Sequence, residues 1–184
     1  MEEKNYYKQL GTKQLFLKEV EESSAKELWD DIYSDYDYYK TYMNEEIEDY
    51  ETYFNMVSSY KELYEKGNHF RWAIYSKIDN HILGLIQLRK IDLINNNCSA
   101  AWILMKQEQG KGYMVEAASE VFRFAFENLN MNRIECSILE ENEKSIALAE
   151  KLGMIKEGIR RESWKENEEY KNDCIYSLIK SDRR

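Results

Sequence analysis

The stretch QEQGKGY, at 107–113, places two glycines and a lysine between an apolar run and a helical pattern. Gly110 and Gly112 lack a Cβ, so the backbone N–H groups of this turn can point toward one bound group. The unpaired amides and the positive dipole end of the following helix add to the attraction for a phosphate. Lys111 places a positive charge beside them. The pattern indicates a phosphate-binding turn, although an ordinary strand-to-helix turn can carry the same glycines.

Two well-known phosphate motifs do not describe this stretch. A P-loop ends in G-K-[ST], whereas Lys111 is followed by glycine. The dinucleotide motif G-x-G-x-x-G needs a third glycine, and Val115 stands in that position. The sequence therefore predicts a phosphate or pyrophosphate site of another kind.

The elements that position this turn can be read from hydrophobic periodicity. Alternating or short apolar runs predict strands at 12–20, 69–77, 81–91, 98–105, 133–140, 154–164 and 173–180. Helical spacing of apolar residues predicts helices at 23–33, 44–67, 113–129 and 142–153. The order β-α-α-β-β-β-α-β-α-β-β predicts an α/β domain with a mixed sheet of about seven strands.

Polar caps and glycines are expected to mark the element ends, because the chain contains no proline. The predicted helix N-caps are Ser23 or Ser24, Asn44 and Asn142. Gly67 and Gly153 stand where a helix C-terminal glycine belongs. Asp79-Asn80 predicts a tight turn that joins 69–77 and 81–91 into an antiparallel hairpin.

Length and composition favour one soluble domain that covers 1–184. The 184 residues have ordinary apolar and charged fractions, and three cysteines without metal-ligand spacing favour reduced thiols in a cytoplasmic protein. No apolar run approaches the roughly 20 residues of a membrane span, and the start MEEKNYYKQL is too acidic for a signal peptide. The net charge of −9 argues against a nucleic-acid surface.

The negative charge is concentrated in one segment, 19–66. This segment holds 15 Asp/Glu against 4 Lys/Arg, and nine of the 15 tyrosines. An acidic region rich in tyrosine can attract and hold cations. The alternative is a solvated helical face whose tyrosines only pack against the core.

Two stretches in the second half of the chain resemble the GNAT superfamily of N-acetyltransferases. Q-x-x-G-x-G at 107–112 is similar to the acyl-CoA pyrophosphate loop of that family, [RQ]-x-x-G-x-[GA]. NEKSIALAEKLGMIKEG at 142–158 resembles its N-x-x-S-x-x-x-x-x-x-LGF-x-x-EG signature, with Met154 in place of Phe. The stretches TKQLFLKEV, GKGYMVEA, FAFENLNMNRIECSI and NDCIYSLI resemble the RimJ/RimL branch, the ribosomal-protein N-terminal acetyltransferases.

The resemblance implies the GNAT fold, with a mostly antiparallel twisted sheet flanked by helices, and acetyl-CoA as co-substrate without a metal. Acetyl-CoA is expected between strands 98–105 and 133–139, which splay apart in this fold. Backbone groups of the first strand would bind pantetheine, and one N–H near its end would polarise the thioester carbonyl. The implied acetyl-CoA-binding residues are Trp102, Ile103, Leu104, Gln107, Gln109, Gly110, Lys111, Gly112, Tyr113, Asn142 and Ser145.

The catalytic residues implied by the resemblance are less regular. Some relatives carry a tyrosine acid at the position of Ala149, so Ser145 becomes the candidate that meets the leaving sulfur. Its alternative role is a hydroxyl that bonds the first turn of its own helix. The glutamate base of many relatives is replaced by Ser99. Glu162, two residues before Trp164 and expected on the same strand face, is a candidate base. The alternatives are a water chain helped by acidic residues from 30–51, and an exposed strand carboxylate at Glu162 without a catalytic role.

The function implied by the resemblance is acetyl transfer to a primary amine that attacks the thioester directly. The acidic, tyrosine-rich helices flank the acceptor in this fold, which favours a cationic acceptor such as a protein N-terminus, a polyamine or an aminoglycoside. The RimJ/RimL branch favours the protein N-terminal α-amine. A small-molecule acetyltransferase and a non-catalytic acyl-CoA-binding domain stay open as alternatives. A monomer or homodimer is expected, without a nucleic-acid or membrane partner.

Overall fold

The computed structural model describes residues 9–40, 42, 47–166 and 168–183. Within them, eight strands and five α-helices follow one another along the chain. These are β1 (Leu10–Gly11), β2 (Leu15–Glu19), α1 (Glu22–Leu28), α2 (Tyr36–Tyr39), α3 (Tyr50–Glu65), β3 (Phe70–Ser76), β4 (Ile82–Asp92), β5 (Asn97–Leu104), α4 (Tyr113–Glu127), β6 (Arg133–Leu139), α5 (Glu143–Lys151), β7 (Ile155–Glu166) and β8 (Glu169–Ile179). No helix among these residues combines the length and the apolar character needed to cross a membrane.

The predicted order of elements is confirmed, with two additions. A two-residue strand, β1, pairs with β2 and precedes the seven predicted strands. The first predicted helix is divided: α1 continues into a π-helical turn at Trp29–Tyr33, and the short α2 follows. The first half of the chain is therefore more segmented than its hydrophobic pattern indicates.

The strands form one mixed sheet in the order β1-β2-β3-β4-β5-β6-β8-β7. Every neighbouring pair is antiparallel except β5 and β6, which are parallel. A parallel pair needs a long crossover, and α4 provides it. The sheet is thus mixed and mostly antiparallel, as predicted.

The parallel pair is short. It joins Asn97 to Arg133, Cys98 to Ile134 and Ser99 to Glu135, and it ends there. Strand β5 nevertheless continues to Leu104 and β6 to Leu139. The two strands therefore separate beyond residues 99 and 135, and the sheet opens into a gap at its middle.

Two of the predicted helix caps are wrong. The N-cap of α1 is Glu21, and Ser24 lies three residues later, where its Oγ accepts the Glu21 N–H at 3.2 Å. The N-cap of α3 is Asp49, whose carboxylate accepts the Thr52 N–H at 2.8 Å, so α3 begins after Asn44. Asn44 itself lies outside the described residues. Both segments contain several good capping residues, and packing selects among them.

Most tyrosines of the acidic segment pack inside the protein. Tyr33, Tyr53, Tyr60 and Tyr64 are buried, and Tyr33 and Tyr53 lie with ring centroids 4.3 Å apart. Tyr33 and Tyr60 accept hydrogen bonds from the guanidinium of Arg71, which is only 1% exposed. These four residues pack in the core, as the alternative predicts, and the cation that Tyr33 and Tyr60 contact is the protein's own Arg71.

Gly84 on β4 allows β4 and β5 to approach closely. It has a φ of +158°, and a Cβ there would lie 2.2 Å from the backbone oxygen of Ile103 and 2.8 Å from Leu104 Cα. We expect Gly84→Ala to lower the free energy of unfolding by about 3 kcal/mol, because backbone on both strands would have to move. A melting temperature lower by roughly 6–12 °C would be the measured result.

The matched control for this substitution is Gly158→Ala on the edge strand β7. A Cβ on Gly158 meets no atom within 4 Å. The Gly158 variant should melt within about 2 °C of the unsubstituted protein. Equal melting temperatures for the two variants would contradict the close approach of β4 and β5.

Candidate active site

Two cavities open along the gap between β5 and β6. The larger, of about 600 Å³, lies between the end of β5, the glycine turn and α5. The smaller, of about 120 Å³, lies between the ends of β4, β5, β6 and β7. Tyr42, Trp102 and Ser145 line both cavities, so the two meet at these side chains. A ligand that follows the larger cavity would present its end to the smaller one at this junction.

The predicted acetyl-CoA-binding residues fall into three groups in the structure. Those that line the larger cavity are Trp102, Ile103, Leu104, Gln109, Gly110, Gly112 and Ser145. Asn142 lines the smaller cavity. Gln107, Lys111 and Tyr113 line neither: the Gln107 amide contacts Met105 Sδ at 3.5 Å, and Lys111 Nζ pairs with Glu108 at 3.1 Å.

The glycine turn has the backbone conformation that its glycines allow. Gly110 and Gly112 have φ angles of +76° and +86°, in the left-handed region that favours glycine. Gly112 is the residue before the first turn of α4, and a Cβ at either glycine would meet no atom within 4 Å. The amides of the turn and of the helix end therefore border open space at the mouth of the larger cavity.

The end of β5 has only one strand neighbour. Ala100 to Leu104 pair with β4 on one side, while on the other side the pairing with β6 has already ended at Ser99. Alternate backbone groups of β5 that would bond β6 in a closed sheet consequently face the gap. An extended ligand with amide groups can take the place of a strand there.

The start of α5 forms the opposite wall. Asn142 Oδ1 accepts the Ser145 N–H at 3.1 Å, which confirms Asn142 as the N-cap of this helix. Ser145 is 6% exposed, and its Oγ makes no hydrogen bond with the residues that the structure describes. The hydroxyl does not bond its own helical turn, so it is available to a ligand at the junction of the cavities.

Tyr38 and Tyr42, which the sequence pattern did not single out, form hydrogen bonds that connect the walls of the larger cavity. Gln109 Nε2 donates to Tyr38 OH at 2.6 Å and to Tyr42 OH at 3.3 Å, and Gln109 Oε1 accepts from Lys144 at 2.8 Å. Tyr38 OH donates to the carbonyl oxygen of Leu104. Burial raises the pKa of Tyr38, with a smaller contribution from Tyr42, so the phenol stays protonated at neutral pH. Tyrosine density drew attention to the segment but not to these two residues.

A polar cluster on β6, β7 and β8 borders the smaller cavity. No sequence motif predicted this cluster. The Asp173 carboxylate, 1% exposed, accepts hydrogen bonds from Arg160, Ser137 and Ser163; the Arg160 Nε distance is 3.0 Å and the Ser163 Oγ distance 2.6 Å. Burial raises the pKa of Asp173, but the hydrogen bonds from Arg160 and Ser163 outweigh this effect and lower it below its ordinary value. Asp173 therefore stays ionised and anchors Arg160 at the cavity wall.

Glu162 does not share a strand face with Trp164, so that part of the prediction is wrong. The pairing of β7 with β8 jumps from Arg160–Asp173 to Trp164–Lys171, so three residues of β7 lie opposite one residue of β8. This bulge, with a φ of +51° at Glu162, breaks the strict alternation of side chains. Trp164 lines the smaller cavity, whereas Glu162 is exposed and borders a separate depression with Arg161 and Asn172.

We expect Glu162→Gln to change the catalytic rate by less than about twofold, because the carboxylate faces solvent outside both cavities. Steady-state kinetics across pH 6 to 9 would measure the effect. Trp164→Ala, which alters the wall of the smaller cavity on the same strand, serves as the comparison. A loss of about a hundredfold in the Glu162 variant, the size expected for removal of a general base, would restore Glu162 as the base.

Comparisons with known proteins agree with this geometry. Residues 14–155 match the family model described as an acetyltransferase (GNAT) domain. A Bacillus subtilis (strain 168) protein named "Probable N-acetyltransferase YjcK" is 31% identical over 129 residues, which are 68% of this chain and 70% of that protein.

Solved structures show the same fold at lower identity. RimL, a ribosomal L7/L12 alpha-N-protein acetyltransferase in complex with coenzyme A, superposes with a TM-score of 0.84 at 18% identity, over 91% of this chain and 95% of that one. Spermidine N-acetyltransferase from Vibrio cholerae, in complex with CoA and spermine, gives a TM-score of 0.81 at 21% identity, over 92% and 97%. With the family model covering most of the sequence, the chain belongs to the GNAT family of N-acetyltransferases.

Proposed function

We propose that this chain, acting as one domain, transfers an acetyl group from acetyl-CoA to a primary amine that attacks the thioester directly. The observation that carries the proposal is the glycine turn and helix end at the mouth of a gap between two separated strands. The family of the chain and the coenzyme A bound to the solved relatives support the donor.

In this proposal the walls of the larger cavity bind the donor. The amides from Gln109 to Tyr113 hold the pyrophosphate, because they border open space at the positive end of α4. The open edge of β5 and the Asn142 side chain bind the pantetheine amides. These contacts place the thioester where the two cavities meet, beside Trp102 and Ser145.

The chemical step then needs three events at that junction. A backbone N–H at the end of β5 donates to the thioester oxygen and stabilises the negative charge that develops there. The nitrogen of the acceptor forms the new bond to the acetyl carbon and passes its proton to water. The Ser145 hydroxyl donates a proton to the departing sulfur and recovers one from solvent.

We propose a protein N-terminal α-amine as the acceptor, with a polyamine as the second candidate. RimL acts on a ribosomal protein and the Vibrio cholerae relative on spermidine, so the fold by itself is compatible with both classes.

The test separates donor binding from transfer. Calorimetry would measure acetyl-CoA binding, and a thiol reagent would follow CoA release with N-terminal peptides, spermidine and an aminoglycoside as acceptors. We expect binding and amine-dependent release of CoA. Binding without release for any amine would instead indicate a non-catalytic acyl-CoA-binding domain, and absence of binding would contradict the site.

A further inference from the structure

The smaller cavity is lined by positively charged side chains, which is unusual for a site proposed to bind an amine. Its lining includes three cationic side chains, Arg89, Lys90 and Arg160, together with the hydroxyls of Ser137 and Ser163. Among the residues that the structure describes, no Asp or Glu lines this cavity. Positive charge on the wall repels an amine in its protonated form and attracts anionic groups.

Hydrogen bonds to Ser137 and Asp173 fix the guanidinium of Arg160. Its Nη2 donates to Ser137 Oγ at 2.8 Å, and its Nε donates to Asp173 Oδ1 at 3.0 Å. The Asp173 side chain is 1% exposed, whereas that of Arg160 is 54% exposed. The guanidinium therefore reaches the surface and the carboxylate does not. Hydrogen bonds to the Asp173 carboxylate and to Ser137 fix the guanidinium plane and use Nε and Nη2, so Nη1 is the group that can donate to a second carboxylate.

Lys90 adds a second positive charge to the cavity lining from the end of β4. It is exposed, with a φ of +52° near the end of β4, and it lines the cavity together with Arg89. A polyamine would carry several positive charges toward this wall. An amine with a carboxylate close by would instead place its negative charge against the wall.

The same charge distribution bears on how the amine loses its proton. The attacking nitrogen must be neutral, and the described lining offers no carboxylate base to remove a proton. Nearby positive charges lower the pKa of an amine and increase its neutral fraction. The positive wall can thus increase the fraction of the amine that is neutral and able to attack, and water accepts the proton.

We infer that the acceptor of this enzyme carries a carboxylate within a few bonds of the reacting amine, and that Arg160 and Lys90 select it. This inference rests on the proposed acetyl transfer and names its substrate class. Two sources have this chemistry: a peptide N-terminus followed by acidic residues, and a free amino acid.

The first test compares acceptors that all react through a primary amine. Three serine-initiated peptides, amidated at the C-terminus, would carry two Asp, two Asn or two Lys after the serine; free serine and spermidine complete the panel. We expect kcat/KM for the Asp peptide to exceed that for the Asn peptide by about fivefold or more, and the Lys peptide and spermidine to be poorest. Free serine above the Asp peptide would identify the amino acid as the source.

The second test removes the charges one at a time. Lys90→Gln and Arg160→Gln should each bring the Asp/Asn ratio closer to one. Arg161→Gln is the matched control, because Arg161 is the next residue on β7, is exposed and borders the separate depression. The ratio is measured within each variant, so a smaller folded fraction in Arg160→Gln does not alter it. Lys90 lies at an exposed position, and its variant keeps the test valid if Arg160→Gln does not fold.

Equilibrium binding separates this inference from the proposed function. Calorimetry would measure each peptide against the full-length protein saturated with CoA. Preferential binding of the Asp peptide without turnover would uphold the acceptor class and contradict the transfer reaction. Equal binding and turnover of the Asp and Asn peptides, or a preference for the Lys peptide or spermidine, would overturn the inference and leave acetyl transfer intact.

Discussion

Replacing Gly112 by valine is expected to weaken acetyl-CoA binding about a hundredfold. Gly112 has a φ of +86°, where a β-branched residue is strained by roughly 1–3 kcal/mol. A Cβ there would meet no protein atom within 4 Å, so the valine methyls would enter the space proposed for the pyrophosphate. Loss of about 2.7 kcal/mol of binding free energy corresponds to the hundredfold change. Calorimetric titration with acetyl-CoA and with CoA would measure it.

The control for Gly112 is valine at Gly158. That glycine lies on the exposed edge strand β7, also without an atom within 4 Å of a Cβ, and far from the turn in the chain. Its variant should bind acetyl-CoA with unchanged affinity. Unchanged affinity in Gly112→Val, in a protein that melts normally, would show that the pyrophosphate does not bind at this turn.

Replacing Ser145 by alanine is expected to lower kcat about a hundredfold and to leave acetyl-CoA affinity within about twofold. The Ser145 Oγ lies where the two cavities meet and makes no hydrogen bond with the described residues. A hydroxyl that donates to the leaving sulfur acts only as the C–S bond breaks, so its loss should affect turnover and not donor binding. Steady-state kinetics and calorimetry together would separate the two.

A second serine provides the comparison for Ser145. Ser119 is exposed on α4, and its Oγ donates to the Val115 carbonyl at 2.7 Å, the local role that Ser145 does not have. Ser119→Ala should leave kcat unchanged. A wild-type kcat in Ser145→Ala would show that Ser145 is structural, and a parallel loss of affinity would show that it binds the donor in the ground state.

The part of the fold that depends on local signals could be predicted from the sequence. The hairpin of β3 and β4, the helix α4 after the glycine turn, and the Asn142 cap of α5 all follow from patterns within a few residues. Predictions were wrong where several residues competed for one local role, as at the starts of α1 and α3. They were also wrong where register changed, because the bulge at Glu162 moves the following side chains to other faces.

The sequence by itself determined the elements that we propose bind the donor. The turn with Gly110 and Gly112, the helix that follows it and the Asn142 cap are built from neighbouring residues, so residue type and spacing suffice to identify them. Their backbone geometry is local, and a pyrophosphate is recognised by backbone amides rather than by distant side chains.

Only the tertiary structure decided the lining of the smaller cavity, where we propose that the acceptor binds. Lys90, Arg160 and Tyr42 come from three separate parts of the chain, and sheet order and a bulged hairpin bring them to one small cavity. Asp173 anchors Arg160 from the next strand while staying buried. The electrostatic potential in a cavity depends on all the elements around it, so the acidic composition of one segment could not predict the positive side chains that line the smaller cavity.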